Sequence, residues 1–387
     1  MPFCKVSGDD NITQIFYQTY NNGPIKVLLL IGLAATHEAW MPQIKGLTGI
    51  NVPNDDIESR VDDDEFDDVF DNGLQICALD NRGVGQSSIP TRKSEYSTTI
   101  MAKDAIAVMD HLGWRKAHII GHSMGGMIAL KLAALVPDRV LSLAVLNVTG
   151  GGFQILPKPC RLIVSIMVRF MLAKTPEDRA AVDLDTHYSQ DYLKENVGES
   201  TRRAILFQEY VKGITNAGMQ SNHGFEGQFS ACWNHKMTET ELEQIRSAGF
   251  LISVIHGRQD VIAQISHAKR LAVKLFPLAK LVDLEGGHLV THERTREVNE
   301  ELLKLIQASE SKISPRDWTN LPDRTSSDWI GPRMLVLTKS AIRSSQSSFE
   351  QFNRFMIYFF GLFVLILEYM RRLAGRFKPV RVGPSLT

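Results

Sequence analysis

The sequence predicts an α/β fold in which a mostly parallel central sheet is flanked by helices. Three observations lead to this prediction. Short apolar runs alternate along the chain with longer amphipathic stretches, which is the order of a parallel sheet with crossover helices. A glycine-rich turn joins one apolar run directly to a helix around residue 123. Residues 153–249 lack strand signals, which indicates a helical insertion between two strands of the sheet.

Residues 25–31 are a nearly continuous apolar run, the pattern of a strand that is buried on both faces of a sheet, and residues 116–120 predict a short, partly buried strand. Residues 12–20 alternate instead between polar and apolar side chains, so this early strand is expected to be antiparallel. The strands predicted after it are residues 25–31, 74–79, 116–120, 140–148, 251–255 and 279–284. The helices predicted around the sheet are residues 98–112, 127–135, 264–276 and 293–306.

The order of these elements divides the chain into five segments. Residues 1–152 and 250–308 are predicted to form the two parts of one sheet-containing core. Residues 153–249 begin after the strand that follows the glycine-rich turn, a position that favours a lid over a site at the sheet edge. A helical domain with a purely structural role is the alternative. Residues 309–351 are predicted to be a polar linker, and residues 352–387 an apolar helix with a basic tail.

The composition excludes several classes of partner. Lysine plus arginine and aspartate plus glutamate number 43 each, so nothing in the charge balance indicates nucleic acid as a partner. The four cysteines form no C-x-x-C pair and have no metal-ligand spacing with histidine, so no metal is predicted. No G-K-S/T follows the glycines at residues 80–87, and the acidic residues 55–71 lack the order of a calcium loop. We therefore expect no cofactor, and a solvated insertion at residues 55–71.

Residues 121–125, with the sequence Gly-His-Ser-Met-Gly, form a G-x-S-x-G element between a predicted strand and a predicted helix. Ser123 at such a sharp turn adopts a strained backbone conformation, and Gly121 and Gly125 leave room for it because they have no Cβ. The helix that follows points its first N–H groups at any negative charge that develops beside the serine. This context predicts a nucleophile elbow, with a plain glycine-rich turn as the alternative.

Asp260 and His288 each follow the end of a predicted strand, as Ser123 does. Because the carboxyl ends of parallel strands lie at one edge of a sheet, we expect these three side chains to meet there. His288 can take the proton of the serine hydroxyl and later return it to a leaving group. Asp260 can hold the tautomer of the imidazole and stabilise the imidazolium. The sequence therefore predicts a catalytic triad of Ser123, Asp260 and His288.

The oxyanion formed by such a triad would be bound by backbone N–H groups. The N–H of Met124, next to the nucleophile, is one predicted donor, and the N–H of Leu33, in a loop of small residues after a buried strand, is the other. Other histidines are expected to have structural roles. His122 should pack away from the nucleophile, His256 should pack at a strand end, and His292 should be solvated at a helix start.

Taken together, these motifs resemble the α/β-hydrolase superfamily over about residues 24–308. The resemblance is carried by Gly32-Leu33, Asp80-x-Arg82-Gly83-x-Gly85-x-Ser87, Gly121-His122-Ser123-Met124-Gly125-Gly126, Gly257-Arg258-x-Asp260 and Gly287-His288. The chain looks closest to the esterase, lactonase and cofactor-free haloperoxidase-like branch with a helical cap. It departs from many members at Ile31-Gly32, where they carry His-Gly, and this departure bears on the second oxyanion donor.

The C-terminal segment predicts a membrane anchor. Residues 355–367 are almost wholly apolar, and arginine and lysine dominate the residues after them. A run of this length is shorter than the roughly 20 residues of a comfortable span, so either a span or an interfacial anchor is open. A helix docked on the core is the alternative. The basic flank favours a cytosolic membrane face, and residues 1–10 lack a secretory signal. We expect membrane association through residues 352–382, with the catalytic domain facing the cytosol.

These features predict a serine hydrolase that cleaves a small-molecule carboxylic ester through an acyl-enzyme intermediate. The apolar lid helix and tail favour a lipid-like or otherwise apolar substrate, as for an esterase or lipase. Perhydrolysis without a cofactor and lactone hydrolysis use the same triad and remain alternatives, as does a non-catalytic ligand-binding protein on this fold. Epoxide and haloalkane hydrolases carry a carboxylate at the elbow, so Ser123 argues against those reactions.

Overall fold

The structure, a computed structural model of the chain, describes residues 2–7, 12–54, 73–155, 161–217 and 220–322. The predicted acidic insertion and the predicted C-terminal anchor lie outside these ranges. In chain order the strands are β1 (Phe3–Ser7), β2 (Ile12–Tyr20), β3 (Ile25–Leu30), β4 (Leu74–Leu79), β5 (Ala117–His122), β6 (Val140–Leu146), β7 (Asn196–Val197), β8 (Ser200–Thr201), β9 (Leu251–Gly257) and β10 (Ala279–Leu284).

The helices form three groups along the chain. Those before residue 150 are α1 (Met41–Thr48), α2 (Thr98–His111) and α3 (Met124–Leu135). Those between β6 and β9 are α4 (Arg161–Leu172), α5 (Pro176–His187), α6 (Gln190–Lys194), α7 (Arg202–Ala217), α8 (Asn222–Asn234) and α9 (Glu239–Ala248). Those after β9 are α10 (Ile265–Lys274), α11 (Val290–Glu293), α12 (Thr295–Glu310) and α13 (Pro315–Trp318).

Eight strands of the described chain form one sheet in the order β1-β2-β4-β3-β5-β6-β9-β10. The strands β1 and β2 are antiparallel, and all pairs from β4 to β10 are parallel. The register pairs Leu30 with Gly121, His122 with Leu146, and Leu146 with Ile255. The carboxyl ends of β3, β5, β6 and β9 are therefore level with one another at one edge of the sheet.

Two apolar layers cover the faces of this sheet. Helices α2, α3 and α10 pack on one face, and α1 and α12 pack on the other. Successive residues of β3 contribute to opposite layers, with Leu28 facing the first and Leu29 the second. All six residues of β5 are buried, whereas the sequence predicts only a short, partly buried strand at residues 116–120. The mostly parallel sheet flanked by helices is confirmed.

The segment between β6 and β9, which we call the cap, consists of α4 to α9 with a two-stranded hairpin of β7 and β8. Its start, immediately after the strand that follows the glycine-rich turn, is where the sequence predicts a helical insertion. The hairpin was not predicted, because two-residue strands are too short to show a periodic pattern.

The chain continues to pack on the core beyond residue 308, where the sequence predicts a linker. The indole Nε1 of Trp318 donates to the carbonyl oxygen of Ile252 at 2.9 Å, and the hydroxyl of Thr319 donates to that of Ala279 at 2.6 Å. The compact unit accordingly extends to Leu321, which is buried. A few anchoring side chains achieve this, and such contacts leave no periodic signal in a polar sequence.

Among the helices of the described ranges, none combines the length and the apolar character needed to cross a bilayer. The membrane segment that the sequence predicts at residues 352–382 lies outside those ranges. Membrane association and the cytosolic orientation of the domain therefore stay predictions from the sequence.

Candidate active site

Strand β5 runs into helix α3 through Ser123, whose backbone has φ 54° and ψ −119°. A positive φ is strained for a residue with a side chain. The turn is held by the Ser123 N–H, which donates to the carbonyl of Leu146 at 2.8 Å, and by the Gly126 N–H, which donates to the carbonyl of Ser123 at 3.0 Å. A Cβ on Gly125 would collide with the carbonyl of Leu30, so α3 can approach β3 this closely only with glycine there.

Ser123, His288 and Asp260 lie in one chain of hydrogen bonds at the carboxyl edge of the sheet. The Nε2 atom of His288 is 3.0 Å from the hydroxyl oxygen of Ser123, and its Nδ1 atom is 2.8 Å from Oδ2 of Asp260. Because an ionised carboxylate only accepts, we assign the ring hydrogen to Nδ1, which leaves Nε2 to accept from the serine. Asp260 and His288 are buried, and Ser123 is half-buried. The structure brings together the three residues that the sequence singles out.

Asp260 is surrounded by hydrogen-bond donors. Burial acts to raise the pKa of its carboxyl, but the charge and hydrogen bond of His288 and the amide of Asn147 help to outweigh this and lower the pKa. Its Oδ1 accepts from the N–H groups of Ile262 and Ala263, both at 2.8 Å. The carboxylate therefore stays ionised at neutral pH, in the state that holds an imidazolium.

Asn147 is a site residue that the sequence analysis missed. It directly follows β6 with φ 48°, and its Nδ2 donates to Oδ2 of Asp260 at 2.7 Å and to the carbonyl of Gly287 at 3.1 Å. One side-chain amide thus ties the loop of the acid to the loop of the histidine. The signal available was an asparagine, which tolerates a left-handed conformation, at the end of a buried strand.

Glu293 ties the loop that carries the triad histidine to the cap. The carboxylate is buried, and its Oε1 accepts from the N–H of Gly287 at 2.8 Å and from the N–H of Ser189 at 2.7 Å. Its Oε2 accepts from the hydroxyl of Ser189 at 2.7 Å. Beside this contact, the N–H of Leu289 donates to the carbonyl of His187 at 2.8 Å. The end of α5 and this loop are therefore one hydrogen-bonded unit.

His122 packs, as the sequence predicts, and its packing partner is the triad histidine. The ring centroids of His122 and His288 are 5.0 Å apart in an edge-on arrangement. The Nε2 atom of His122 is 2.8 Å from the backbone carbonyl of His288, so it donates. Burial, reinforced by repulsion from His288, lowers the pKa of His122 to about 3, so its ring is neutral. His122 supports the backbone of His288.

The loop after β3 passes beside the nucleophile. A Cβ on Gly32 would lie 3.2 Å from the Cβ of Ser123, which is tighter than ordinary packing, so glycine permits this approach. The two predicted oxyanion donors are Leu33, in this loop, and Met124, which follows Ser123. In the part of the chain that the structure describes, neither of their N–H groups donates to a protein acceptor. Both remain available for a ligand oxygen.

Side chains clamp this loop on both sides of Leu33. On one side, the Nδ2 atom of Asn81 donates to the carbonyl of Ile31 at 2.9 Å. On the other, the N–H of Ala34, which has φ 63°, donates to Oε1 of Gln228 at 2.9 Å. Gln228 belongs to the cap helix α8 and is fully buried. The conformation of the loop therefore depends on a contact from the cap, which the sequence analysis did not predict.

The remaining candidate histidines have structural partners. His256 is buried and its Nε2 donates to the carbonyl of Ala263 at 2.7 Å, consistent with packing at a strand end. His292 was expected to be solvated, and this is wrong. It is half-buried, with Nε2 2.9 Å from the carbonyl of Ala39 and Nδ1 3.2 Å from the hydroxyl of Tyr188, because α11 packs under the cap. Across the described residues, no group of three or more His, Cys, Asp or Glu could hold a metal ion.

Comparison with known proteins agrees with this fold. Residues 27–295 match the family described as the alpha/beta hydrolase fold. The enol-lactonase from Burkholderia xenovorans LB400 superposes with a TM-score of 0.57 at 19% identity, covering 76% of this chain and 97% of that one. The membrane phospholipase A described as a bacterial virulence factor superposes with a TM-score of 0.57 at 21% identity, covering 80% and 86%.

Sequence relatives match over shorter stretches. The dihydrolipoyllysine-residue acetyltransferase component of the acetoin cleaving system from Pseudomonas putida is 28% identical over 242 residues, 60% of this chain and 56% of that protein. Epoxide hydrolase 4 from Mus musculus is 36% identical over 78 residues, 20% of this chain and 22% of that protein. The chain thus spans little more than half the length of the first relative and less of the second. It belongs to the α/β-hydrolase fold family.

Proposed function

We propose that this chain is a serine hydrolase that cleaves carboxylic esters through an acyl-enzyme intermediate. The observation that carries the proposal is the pair of hydrogen bonds of His288, at 3.0 Å to the hydroxyl of Ser123 and at 2.8 Å to the carboxylate of Asp260. A serine hydroxyl is a poor nucleophile at neutral pH, and an imidazole in contact with it is the base that activates it.

In the first step the oxygen of Ser123 forms a bond to the ester carbonyl carbon while its proton passes to Nε2 of His288. The carbonyl oxygen becomes an oxyanion, for which the N–H groups of Leu33 and Met124 are the donors, and loss of one such donor typically costs about 3 kcal/mol. The imidazolium, held by Asp260, then returns the proton to the alcohol oxygen as the carbon–oxygen bond breaks. Water then attacks the acyl-enzyme by the same steps, with His288 taking its proton and returning it to the oxygen of Ser123, and the acid is released.

The substrate class proposed is a lipid-like or otherwise apolar acyl ester. Val261, the residue after Asp260, packs with the buried cap residues Ile166 and Val182, so an apolar cluster of the cap lies next to Asp260. Lactones are cyclic esters and would be opened by the same steps, so lactone hydrolysis is a second candidate on this site. Perhydrolysis would require peroxide in place of water in the second step.

The test compares wild type with Ser123→Ala and with Ser142→Ala as a matched control. Ser142 is also a buried serine bonded to a histidine, His118, but it lies near the amino end of β6, away from the site. An alkyl fluorophosphonate should label wild type and Ser142→Ala but not Ser123→Ala. Hydrolysis of short acyl esters should fall by about 10⁴-fold or more in Ser123→Ala alone. A folded wild type that is neither labelled nor active would overturn the proposal, and ligand binding without turnover would then favour a binding protein.

A further inference from the structure

A histidine from the cap lies next to the triad histidine. His187 is the last residue of α5, and its ring lies 6.5 Å from the ring of His288, centroid to centroid, with an angle of 29° between the ring planes. The carbonyl of His187 is bound by the N–H of Leu289 at 2.8 Å, so the backbone at this point is fixed to the loop of His288. The proposed mechanism gives this imidazole no role.

A chain of hydrogen bonds starts at Ala39 and leads to this ring. The carbonyl of Ala39 can only accept, so Nε2 of His292, 2.9 Å away, carries a hydrogen. Burial lowers the pKa of His292, so its ring is neutral and Nδ1 must accept from the hydroxyl of Tyr188 at 3.2 Å. Tyr188 has no second hydrogen and accepts from the hydroxyl of Tyr210 at 3.4 Å. Tyr210 in turn can only accept from Nδ1 of His187, also at 3.4 Å.

This chain fixes the tautomer of His187. Burial, with repulsion from His288 next in effect, lowers the pKa of His187 to about 3, so the neutral ring carries one hydrogen. That hydrogen is on Nδ1, facing Tyr210, and Nε2 therefore carries a lone pair. Within the described ranges, Nε2 has no hydrogen-bond partner, whereas Nδ1 is bonded to the hydroxyl of Tyr210. His187 thus presents a hydrogen-bond acceptor beside the triad.

The alcohol part of an ester is the part that must pass close to His288, because Nε2 of this residue returns a proton to the alcohol oxygen as it leaves. A hydroxyl on the carbon next to the one that bears the ester oxygen lies about 3 Å from that oxygen. A hydrogen bond adds about 3 Å. With about 3 Å more from the ester oxygen to Nε2 of His288, these links are long enough to bridge two rings whose centroids lie 6.5 Å apart.

We propose that Nε2 of His187 accepts a hydrogen bond from a hydroxyl group of the substrate's alcohol part, so that the substrates are monoesters of a diol or polyol. This inference rests on the proposed ester hydrolysis and names its substrate class. His187 acts as a substrate-binding residue and selects for an alcohol that keeps a free hydroxyl on the carbon next to the one that bears the ester oxygen.

The experiment compares two esters of the same fatty acid, the 2-hydroxyethyl ester and the 2-methoxyethyl ester. The two alcohols differ in one respect that matters here, since the methoxy oxygen cannot donate a hydrogen bond. Wild type should have a kcat/KM about three- to tenfold higher for the hydroxyethyl ester, the range expected for one hydrogen bond to a neutral acceptor. His187→Phe keeps a ring at this position without the lone pair, and its ratio should fall to about one.

Controls separate this role from a structural one. In His187→Phe the fluorophosphonate should still label Ser123, and kcat/KM should fall about three- to tenfold more for the hydroxyethyl ester than for the methoxyethyl ester, whereas a structural defect would lower both equally. His187→Gln restores an acceptor oxygen and should regain part of the preference, and it serves as the second variant if His187→Phe does not fold. Tyr210→Phe removes the group that fixes the tautomer and should weaken the preference without abolishing hydrolysis.

The outcomes distinguish the two proposals. Equal rates on both esters in wild type, or a preference that survives in His187→Phe, would overturn the role of His187 while ester hydrolysis stands. Labelling of Ser123 without hydrolysis of either ester would overturn the polyol monoester as substrate. Absence of both labelling and hydrolysis in a folded wild type would overturn ester hydrolysis itself, and the role of His187 with it.

Discussion

The sheet core and the cap contribute to the candidate site in different ways. The core carries Ser123, Asp260 and His288 on segments that directly follow β5, β9 and β10, so their positions are set by strand register and buried backbone. The cap contributes individual polar contacts, among them the amide of Gln228 and the backbone of Ser189. Disruption of the core should therefore remove the fold, whereas loss of one cap contact should alter catalysis in a protein that still folds.

The largest effect is expected from the core substitution Gly125→Ala. A Cβ there meets the carbonyl groups of Leu30 and Ile31, which are backbone atoms at the end of a buried strand and cannot rotate away. We expect a loss of about 4 kcal/mol or more in the free energy of unfolding, enough to prevent accumulation of folded protein. The matched control is Gly213→Ala on cap helix α7, where a Cβ meets nothing within 4 Å.

Gly213→Ala should be neutral or stabilising by up to about 1 kcal/mol, because alanine is the better helix former. Both variants can be followed by circular dichroism during thermal unfolding. A Gly125→Ala protein that unfolds at the wild-type temperature would mean that α3 can move away from β3. The claim that backbone packing fixes the core more tightly than the cap would then be wrong.

The same difference explains how much of the molecule the sequence predicts. Residues 74–79 and 279–284 are strands with the predicted bounds, because a short, mostly apolar run is a local signal. The triad could be proposed because each member follows a strand end. The roles of Glu293 and Gln228 could not be predicted, because each depends on which backbone groups lie beside the side chain in the folded protein. Hydrogen bonds between residues far apart in the chain leave no periodic pattern in the sequence.

Glu293→Ala tests the contact between the cap and the loop of His288. The substitution leaves the buried N–H groups of Gly287 and Ser189 without their acceptor, and each such loss costs about 1–3 kcal/mol. We expect a folded but less stable protein whose kcat on short esters is reduced by about 100-fold, because His288 is no longer held against Ser123. Single-turnover kinetics and thermal unfolding measure the two effects.

Glu293→Gln is the matched variant. Both backbone N–H groups donate to the same oxygen, Oε1, which the amide retains, and its NH₂ group can donate to the hydroxyl of Ser189. Near-wild-type kcat in Glu293→Gln would establish that Glu293 acts by positioning. Equal losses of kcat in the alanine and glutamine variants would show instead that the negative charge of Glu293 acts on His288. The proposal that Glu293 acts by holding the loop of His288 to the cap would then be wrong.

The smallest of these effects is expected from Gln228→Met, which tests the cap contact to the oxyanion loop. Methionine fills a similar volume but cannot accept from the N–H of Ala34 or donate to the carbonyl of Arg82. Ala34 holds a strained positive φ next to Leu33, so release of its N–H should let the Leu33 donor move. We expect kcat to fall about tenfold, a fraction of the 10²–10³ that removal of an oxyanion donor costs. Substrate KM should change little.

Affinity for a trifluoromethyl ketone identifies the cause, because this inhibitor binds as an oxyanion on Ser123. In Gln228→Met its affinity should fall in parallel with kcat, whereas Gln228→Glu, which keeps an acceptor for Ala34, should retain more of both. The comparison variant is Gln220→Met, which removes an amide that donates to the carbonyl of Gly83 and to Oε1 of Gln228 but keeps the acceptor of the Ala34 N–H in place. If Gln220→Met and Gln228→Met lower the inhibitor's affinity equally, the cap acts through general packing. The specific role of the bond between Gln228 and Ala34 in positioning the oxyanion loop would then be wrong.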